Sequence, residues 1–576
     1  MKERRRGLAL LLSVTLLATA CAGNGGGGQQ SAPPDQEVEP RGVLDRPDPE
    51  ELADEQTLNV FAFFKPPSFD PARQGPATFG GNGLRRQYTE ALLRPEAELS
   101  NPDVTGAAAE GYDVSEDGRV YTFRIRPEAK YNDGKPVAAA DFVYAWRRLI
   151  DPRVPSPVGR IFARIVEGGS EAASLGPDTA AGEIDSALDE LGLQAIDERT
   201  FEVTLSDPAP YFKWIATLTA GAPVRRDVIE QHGAEAWATK PETLVTNGPF
   251  MVSEIGENET TLVRNPHYWD DPKPHLERIV AGYGLDPAPR WTKYLNDELD
   301  VSNGPPPASY EAALADPRFD EEILRYPELS VQWLGFNTQT PPFDNPKVRL
   351  AFAKAIDREA YDRLAADTGE PIASLVPQGL AGHDPDLDTQ AFEPTEAKAV
   401  LEDSGVDMAQ LEGLQLLTAP PQESNALFIK DQLQKHLGVT VNVESIGDSA
   451  SLSTRVKQGD YDMRQTFIGH AANYPDPQDF FDVFLSTSPD NEPGWTNADY
   501  DRLVREADTT TDMEERLKLY DQAHEILVRE APVAFLVQLE RIFWVKPWVR
   551  GIKRTPVDTA FLPGDLYTKD ITIAAH

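Results

Sequence analysis

The most informative stretch of the sequence is residues 115–148, SEDGRVYTFRIRPEAKYNDGKPVAAADFVYAWRR. Residues 119–126 within it alternate between an apolar face and a more polar one, and this period of two predicts a strand with one buried face. The NDGK segment at 132–135 predicts a turn, and residues 138–148 have the apolar spacing of a helix. A strand, a turn and a helix in succession indicate a mixed α/β fold.

Outward from this stretch, similar short segments recur toward both ends of the chain. Alternating apolar residues predict strands at 58–64, 201–205 and 439–443, and helical spacing predicts a helix at 345–364 and a pair of helices at 499–530. No repeat of fixed period is present. The sequence therefore predicts several sheets with helices between them, in a chain of 576 residues that is long enough for two or three domains.

The overall charge is strongly acidic. The chain contains 94 Asp and Glu against 55 Lys and Arg, which gives a net charge of −39. Such a charge repels nucleic acid and anionic lipid surfaces, so we expect no nucleic-acid partner. The acidic residues are spread along the chain, which is typical of a solvated surface; attraction of a cationic solute is the alternative.

Residues 1–20 have the pattern of a secretory signal peptide. A cationic start is followed by an apolar stretch from Leu8 to Leu17 and by small residues before Cys21, the single Cys of the chain. Small residues followed by a Cys resemble the lipobox of bacterial lipoproteins, which implies that Cys21 is acylated and anchors the protein to the bacterial cell membrane. An ordinary cleaved signal with an unmodified thiol is the alternative. Residues 21–53, rich in Gly, Gln, Ser, Pro and acidic residues, predict a flexible tether.

Local motifs for catalysis, a metal or a cofactor are missing from the sequence. His524-Glu525 lacks the second histidine of a helical zinc site, and Asp384, Asp386 and Asp388 are not followed by the glycine and the glutamate of a calcium loop. There is no Gly-x-Ser-x-Gly and no phosphate-binding loop. A glycosidase pair is defined by separation in space, so it cannot be chosen among 94 acidic residues. We expect a non-enzymatic binding protein with no cofactor and no metal; an extracellular hydrolase is the alternative.

Five blocks, in order, resemble the oligopeptide- and dipeptide-binding proteins of extracellular solute-binding protein family 5. Together they cover the chain from about residue 55 to its end. The blocks are residues 115–148, then TNGPF, RNP and YW within 246–269, then GFNT, PF, VR and AIDR within 335–358, then LVP, DP and EAK within 375–398, and finally residues 495–548.

The resemblance implies a periplasmic-binding-protein-like class II fold, in which two α/β lobes joined by a hinge close on a ligand and an additional domain is attached. Three domains result. Lobe I is expected to comprise 54–93, 221–330 and 546–576, the additional domain II 94–220, and lobe III 331–545.

The resemblance also implies the function and the partners. Members of this family capture a small solute, in most cases a short peptide, and deliver it to the permease and ATPase subunits of an ABC-type importer. We therefore expect an extracytoplasmic, lipid-anchored or periplasmic monomer. Three alternatives stay open: a non-peptide solute such as an oligosaccharide, an opine-like compound or a metal chelate; a hydrolase; and a structural or sensory lipoprotein.

The family's ligand site supplies a first set of candidate residues. In peptide receptors of the family, an aspartate in an Ala-Asp-Tyr stretch holds the α-ammonium group of the peptide, and Asn473 occupies that position in this chain. The resemblance implies that Asn473 contacts the ligand together with its neighbours Gly469, His470, Ala472 and Tyr474. Because an amide brings no opposite charge, either Asp476 or another acid replaces the aspartate, or the solute has no free amino terminus.

A second set of candidates lies near the start of the folded part. Residues 83–86 match the family's first ligand-contacting strand, so Leu84, Arg85 and Arg86 are further candidates, and the two arginines suit a carboxylate or a phosphate. The alternative is a pair of exposed arginines that balance an acidic protein. An aromatic residue that lines the pocket of characterised receptors has no counterpart in this chain, since its place falls near Ser449.

Overall fold

The structure is a computed structural model that describes residues 51–62, 65–73, 81–364 and 369–576. The predicted signal peptide, Cys21 and the tether up to residue 50 lie outside these residues. The predicted end of the tether at residue 53 is wrong. The backbone N–H of Ala53 donates to the carbonyl of Ile573 at 2.9 Å, and Leu52 forms a bridge with Ala574. The start of the described chain is therefore paired with its C-terminal segment.

The strands, numbered in chain order, are short except for two. They are β1 (Thr57–Phe61), β2 (Leu93–Pro95), β3 (Val104–Gly106), β4 (Ala109–Val114), β5 (Val120–Ile125), β6 (Leu193–Ala195), β7 (Thr200–Thr204), β8 (Phe250–Ile255), β9 (Glu259–Arg264), β10 (Arg278–Gly282), β11 (Val301–Ser302), β12 (Ile323–Phe336), β13 (Gly369–Pro371), β14 (Leu414–Thr418), β15 (Val441–Ser445), β16 (Met463–Gln465), β17 (His470–Ala471), β18 (Val533–Val545), β19 (Val549–Arg550) and β20 (Thr572–Ile573).

The α-helices are numbered in the same way. They are α1 (Gly81–Tyr88), α2 (Ala139–Ile150), α3 (Gly159–Ile165), α4 (Gly169–Ser174), α5 (Ala181–Asp189), α6 (Phe212–Ile215), α7 (Arg226–His232), α8 (Pro287–Leu295), α9 (Pro307–Leu314), α10 (Pro346–Lys354), α11 (Arg358–Leu364), α12 (Pro394–Asp403), α13 (Glu423–Leu437), α14 (Ser449–Lys457), α15 (Pro477–Phe481), α16 (Ala498–Thr509) and α17 (Met513–Glu530). In the part of the chain that the structure describes, no helix is both long enough and apolar enough to cross a membrane.

Three larger sheets carry the fold. The first has the order β1-β10-β9-β8, and the second the order β4-β5-β7-β6. The third has eight strands along the path β11-β18-β12-β16-β14-β15, with β13 added to β18 and β17 added to β12. Parallel pairs (β1 with β10, and β14 with β15 and with β16) occur beside antiparallel ones. The mixed α/β class predicted from the sequence is confirmed.

The second sheet is covered on one face by α2, and the sequence pattern explains why these two elements pack together. In β5 the side chains of Tyr121, Phe123 and Ile125 are buried, as their alternation predicts. Helix α2 covers this face, and the Trp146 ring lies 5.4 Å from that of Phe201 on β7 in an edge-to-face arrangement. The segment that follows β7, from Ser206 to Tyr211, contributes to one wall of a large cavity.

The long strands β12 and β18 connect separate hydrophobic cores. Leu324 and Tyr326 of β12 belong to the core that includes the first two sheets, whereas Val331 and Trp333 belong to a second core, which also contains α16 and α17. A third core lies between the eight-stranded sheet and α10, α12 and α13. The pairing of β12 with β18 shifts its register between Pro327 and Val331, at the point where the strands pass from one core to the next.

Most predicted elements are found, but the single helix predicted at 345–364 is wrong. The strand predicted at 58–64 corresponds to β1, although residues 63 and 64 lie outside the described residues. The strand predicted at 201–205 corresponds to β7, the helical pair corresponds to α16 and α17, and the strand predicted at 439–443 begins two residues later as β15.

The break in the predicted helix falls between α10 and α11 and has a tertiary cause. The guanidinium of Arg358 donates to the carbonyls of Ala353, Ile356 and Phe535, which satisfies acceptors at the end of α10 and on β18. The Asp357 carboxylate accepts the N–H of Ala360 and starts the second helix.

Candidate ligand-binding site

A large cavity lies on one side of the eight-stranded sheet, which contributes Trp333, Arg464 and His470 to its lining. Its volume is about 1590 Å³, above the roughly 300–1,000 Å³ of pockets that hold drug-sized ligands. One wall comes from α3 and from residues 206–211, and the opposite wall comes mainly from residues 464–474 and 479–493. A cavity of this size between two walls admits a ligand of several residues.

β17 and the residues before it run along one wall of the cavity. The Gly469 N–H donates to the Val331 carbonyl at 2.9 Å, which holds this segment against β12. A Cβ atom at Gly469 would lie 2.2 Å from the indole ring of Trp333, so only glycine lets the backbone approach that ring. Within the described residues, β17 pairs with β12 and with no other strand. Its other edge is therefore available for an extended ligand.

Asn473, in the same wall, forms two hydrogen bonds with Asp479. The Asn473 Nδ2 donates to Asp479 Oδ1 at 3.0 Å, and the Asn473 backbone N–H donates to Asp479 Oδ2 at 2.7 Å. His470 Nε2 lies 3.1 Å from the same Oδ2. The amide at position 473 therefore holds a carboxylate that comes from α15.

Asp476 cannot supply the missing carboxylate, so that option from the sequence is wrong. Its oxygens lie 2.6 and 3.0 Å from the guanidinium of Arg516, in an ion pair whose side chains are 5% and 0% exposed. Asp476 Oδ1 also accepts the backbone N–H of Gln478 at 2.9 Å and caps α15. The role of Asp476 is to fix the start of the helix that carries Asp479.

Of the other ligand-site candidates around Asn473, three line the cavity and one is buried in a hydrophobic core. Gly469, His470 and Tyr474 line the cavity with Asn473, whereas Ala472 is buried in the second core and the adjacent Ala471 lines the cavity instead. Tyr474 is 2% exposed, its hydroxyl donates to Gln478 at 2.6 Å, and burial raises its pKa well above the usual value. Its ring stacks on Tyr211 of the opposite wall, with centroids 6.5 Å apart.

Residues 83–86 form part of α1, so the predicted strand is wrong, and so is the alternative of exposed arginines. Leu84 is fully buried, Arg86 donates to Asp565 at 2.6 Å, and Arg85 donates to Thr219 at 3.0 Å. Burial lowers the pKa of Arg85 to about 10. None of the three lines the large cavity; the two arginines border a small cavity of about 20 Å³ that Asn473 also reaches.

The physical reason for this burial is close packing of α1 against the C-terminal segment. A Cβ at Gly83 would lie 2.3 Å from the Thr559 hydroxyl and 2.4 Å from the Cβ of Phe561. The helix therefore approaches these residues more closely than any side chain at position 83 would allow.

Charged side chains meet across the cavity in pairs. Arg164 of α3 pairs with Asp482, and Arg160 pairs with Asp490. Asp508 of α16 also lines the cavity and accepts the hydroxyl of Tyr520 at 2.8 Å. Burial raises the pKa of the Asp508 carboxyl to about 7, and the nearby Asp482 carboxylate adds to this rise.

Most wall residues were not identified from the sequence. Asp479, Asp508, Trp333 and Phe467 are examples, of which Phe467 is a large apolar side chain with 55% of its surface exposed. Asp479 had a usable signal, because it follows Asn473 by six residues in the same loop and short helix. The other three give no local signal, since their position depends on how distant segments meet.

The fold and the site define a protein that holds a ligand between two walls, with paired charges and an open strand edge. A model described as "Bacterial extracellular solute-binding proteins, family 5 Middle" matches residues 103–492, and the chain belongs to this family. The family's members are binding proteins and not enzymes, so the hydrolase alternative is withdrawn.

Two curated relatives and one solved structure extend the match over nearly the whole chain. The periplasmic murein peptide-binding protein MppA of Escherichia coli (strain K12) is 30% identical over 88% of this chain and 93% of its own length. The periplasmic oligopeptide-binding protein OppA of Salmonella typhimurium is 30% identical over 91% of this chain and 94% of its own length. The structure of the unliganded open form of MppA has a TM-score of 0.73 at 26% identity and covers 92% of this chain and 99% of MppA. The periplasmic-binding-protein-like fold expected from the sequence is confirmed.

Proposed function

We propose that this protein captures short peptides outside the cytoplasm and delivers them to the permease of an ABC-type importer. The observation that carries the proposal is the cavity of about 1590 Å³ with the free edge of β17 along its wall. An extended peptide that pairs with such an edge gains main-chain hydrogen bonds whatever its side chains are. The relatives MppA and OppA, which are named as peptide-binding proteins, support the same ligand class.

Capture by closure of two lobes is part of the proposal. Lobe I is assigned to 54–93, 221–330 and 546–576, domain II to 94–220 and lobe III to 331–545. The register shift in the β12–β18 pair, between Pro327 and Val331, supports a hinge there because an interrupted ladder bends more easily than a continuous one.

Export and anchoring complete the proposal. Residues 1–20 act as the signal peptide, Cys21 carries the lipid, and the following residues tether a monomeric receptor to the cell membrane. There it meets the permease, which the ATPase subunits drive from the cytoplasmic side. The names of the relatives, which are periplasmic proteins, support export. Replacing Cys21 with Ala is expected to move the protein from the detergent phase to the aqueous phase in Triton X-114 partition; unchanged partition would contradict the lipid anchor.

A non-peptide solute is the second candidate. The exposed Phe467 ring in the cavity favours a ligand with more apolar surface, and the amide at position 473 does not itself supply a charge for an amino terminus. Native mass spectrometry of the purified protein separates the two candidates. Release of several masses that differ by amino-acid residue weights supports the peptide, whereas one non-peptide mass supports the second candidate. If no ligand is released and a pool of di- to pentapeptides leaves the melting temperature unchanged, peptide capture is refuted.

A further inference from the structure

We propose that Asp479 is the anionic anchor of the ligand site and that it selects ligands with an ammonium group. This deepens the proposed function and rests on it only for the identity of the cavity as the ligand site. Asp479 lies in the short helix α15 and lines the cavity, with 8% of its surface exposed.

The first argument is that the Asp479 carboxylate has no fixed cation. Across the described residues, the only ionisable nitrogen within ion-pairing distance is His470 Nε2, which belongs to an imidazole and not to a permanent cation. Two other carboxylates of the cavity do have such partners, since Asp482 pairs with Arg164 and Glu492 pairs with Arg464. Asp508 is different, because burial raises the pKa of its carboxyl to about 7 and the group need not be charged. A carboxylate that is largely removed from water needs a positive charge near it, and the ligand can bring that charge.

The second argument concerns the number of hydrogen bonds that the carboxylate can still accept. A carboxylate offers about four acceptor positions; the two N–H groups of Asn473 occupy two of them, and His470 occupies a third in the tautomer that carries a proton on Nε2. A guanidinium that binds in its usual two-pronged way needs two positions, one on each oxygen. An ammonium group needs only one, so the remaining position suits an ammonium better than a guanidinium.

The third argument explains why an amide stands at position 473. The Asn473 Nδ2 donates to Asp479 Oδ1 at 3.0 Å and thereby fixes the direction of the carboxylate. A carboxylate at 473 would place two like charges at this distance, and one of them would have to take up a proton. Asn473 is therefore a positioning residue for Asp479. The ring of Phe480, edge to face with His470 at 4.9 Å, packs against the imidazole that lies beside Asp479.

The test uses the full-length protein and defined probes, with binding measured by isothermal titration calorimetry. The first pool contains tri-, tetra- and penta-alanine with free amino termini, the second contains the same peptides N-acetylated, and the third contains n-alkylamines as a non-peptide source of ammonium. The variants are Asp479→Asn and, as a matched control, Asp431→Asn. Asp431 is exposed on α13 and does not line the cavity, so its substitution removes the same charge away from the ligand site.

We expect wild-type protein to bind the free peptides at least about tenfold more tightly than the acetylated ones. Asp479→Asn should lose that preference, whereas Asp431→Asn should keep it. If wild type binds both peptide pools equally, peptide capture stands and the anchor is refuted. If wild type binds no peptide but binds alkylamines in a way that Asp479→Asn abolishes, the anchor stands and peptide capture is refuted. The comparison of pools on wild-type protein decides the question even if Asp479→Asn does not fold.

Discussion

Removal of Arg516 tests whether the buried ion pair next to the ligand site carries the energy that its geometry implies. The guanidinium is 0% exposed, donates to both oxygens of Asp476 at 2.6 and 3.0 Å, and has its carbon 5.1 Å from the centre of the Tyr520 ring. Arg516→Met keeps much of the side-chain volume but leaves the Asp476 carboxylate, 5% exposed, without its cation. An uncompensated buried charge of this kind costs about 3–5 kcal/mol. We expect the free energy of unfolding to fall by that amount in urea titrations at pH 7.

A control variant and a double variant test whether the loss of stability comes from the unpaired buried charge. Arg505→Met removes an arginine whose side chain is 54% exposed and 3.6 Å from Asp501, so we expect a change below about 1 kcal/mol. Adding Asp476→Asn to Arg516→Met removes the buried charge and keeps a helix-capping residue, so stability should recover by at least about 1 kcal/mol relative to the single variant. A loss below about 1 kcal/mol in Arg516→Met, or a double variant less stable than the single one, would show that burial of the unpaired charge is not what destabilises the variant.

Three further predictions follow from the cavity. Asp508→Asn should be more stable than wild type at pH 8, by on the order of 1–4 kcal/mol, because wild type must ionise the buried Asp508 carboxyl as pH rises from about 4 through its pKa of about 7. The gain should shrink toward pH 4. A gain independent of pH in urea titrations would contradict the raised pKa of Asp508. Phe467→Ala should weaken binding of the ligand released from the purified protein by about tenfold in calorimetry. The melting temperature should not change, because the ring is 55% exposed. Unaltered affinity would show that Phe467 does not contact the ligand. Gly469→Ala should lower the free energy of unfolding by about 1–3 kcal/mol in urea titrations, because the new Cβ would lie 2.2 Å from the Trp333 ring. An unchanged free energy of unfolding would mean that the segment before β17 can shift away from the ring at no cost.

The sequence predicts elements well where local pattern and tertiary packing agree. β5 and α2 are examples: the alternation around Phe123 and the helical spacing around Trp146 each specify a buried face, and both faces meet in one layer. The break between α10 and α11 is different, because the guanidinium of Arg358 reaches a carbonyl of β18 that is 177 residues away. Apolar spacing contains no information about that contact.

The candidate site was predicted in part. The resemblance placed Asn473, His470 and Gly469 in the cavity wall, and it raised the question of which acid replaces the aspartate. It matched Arg86 to a strand, whereas this residue lies on α1 and its partner Asp565, 479 residues away, holds the side chain in the interior. It also did not single out Asp479, because the hydrogen bonds from Asn473 require the turn at α15, and a spacing of six residues does not by itself indicate a contact.

The strand pair β12 and β18 has a consequence for how such receptors diversify. Each strand contributes side chains to more than one core, so a recombination event within this pair would join halves that were selected to fit different neighbours. Exchange of a whole layer between homologues would require two crossovers, one near Pro327 and Val331 in β12 and one opposite it in β18. Variation is therefore easier to acquire by single substitutions in the loops around the cavity, such as the one that carries Asn473, than by exchange of complete layers.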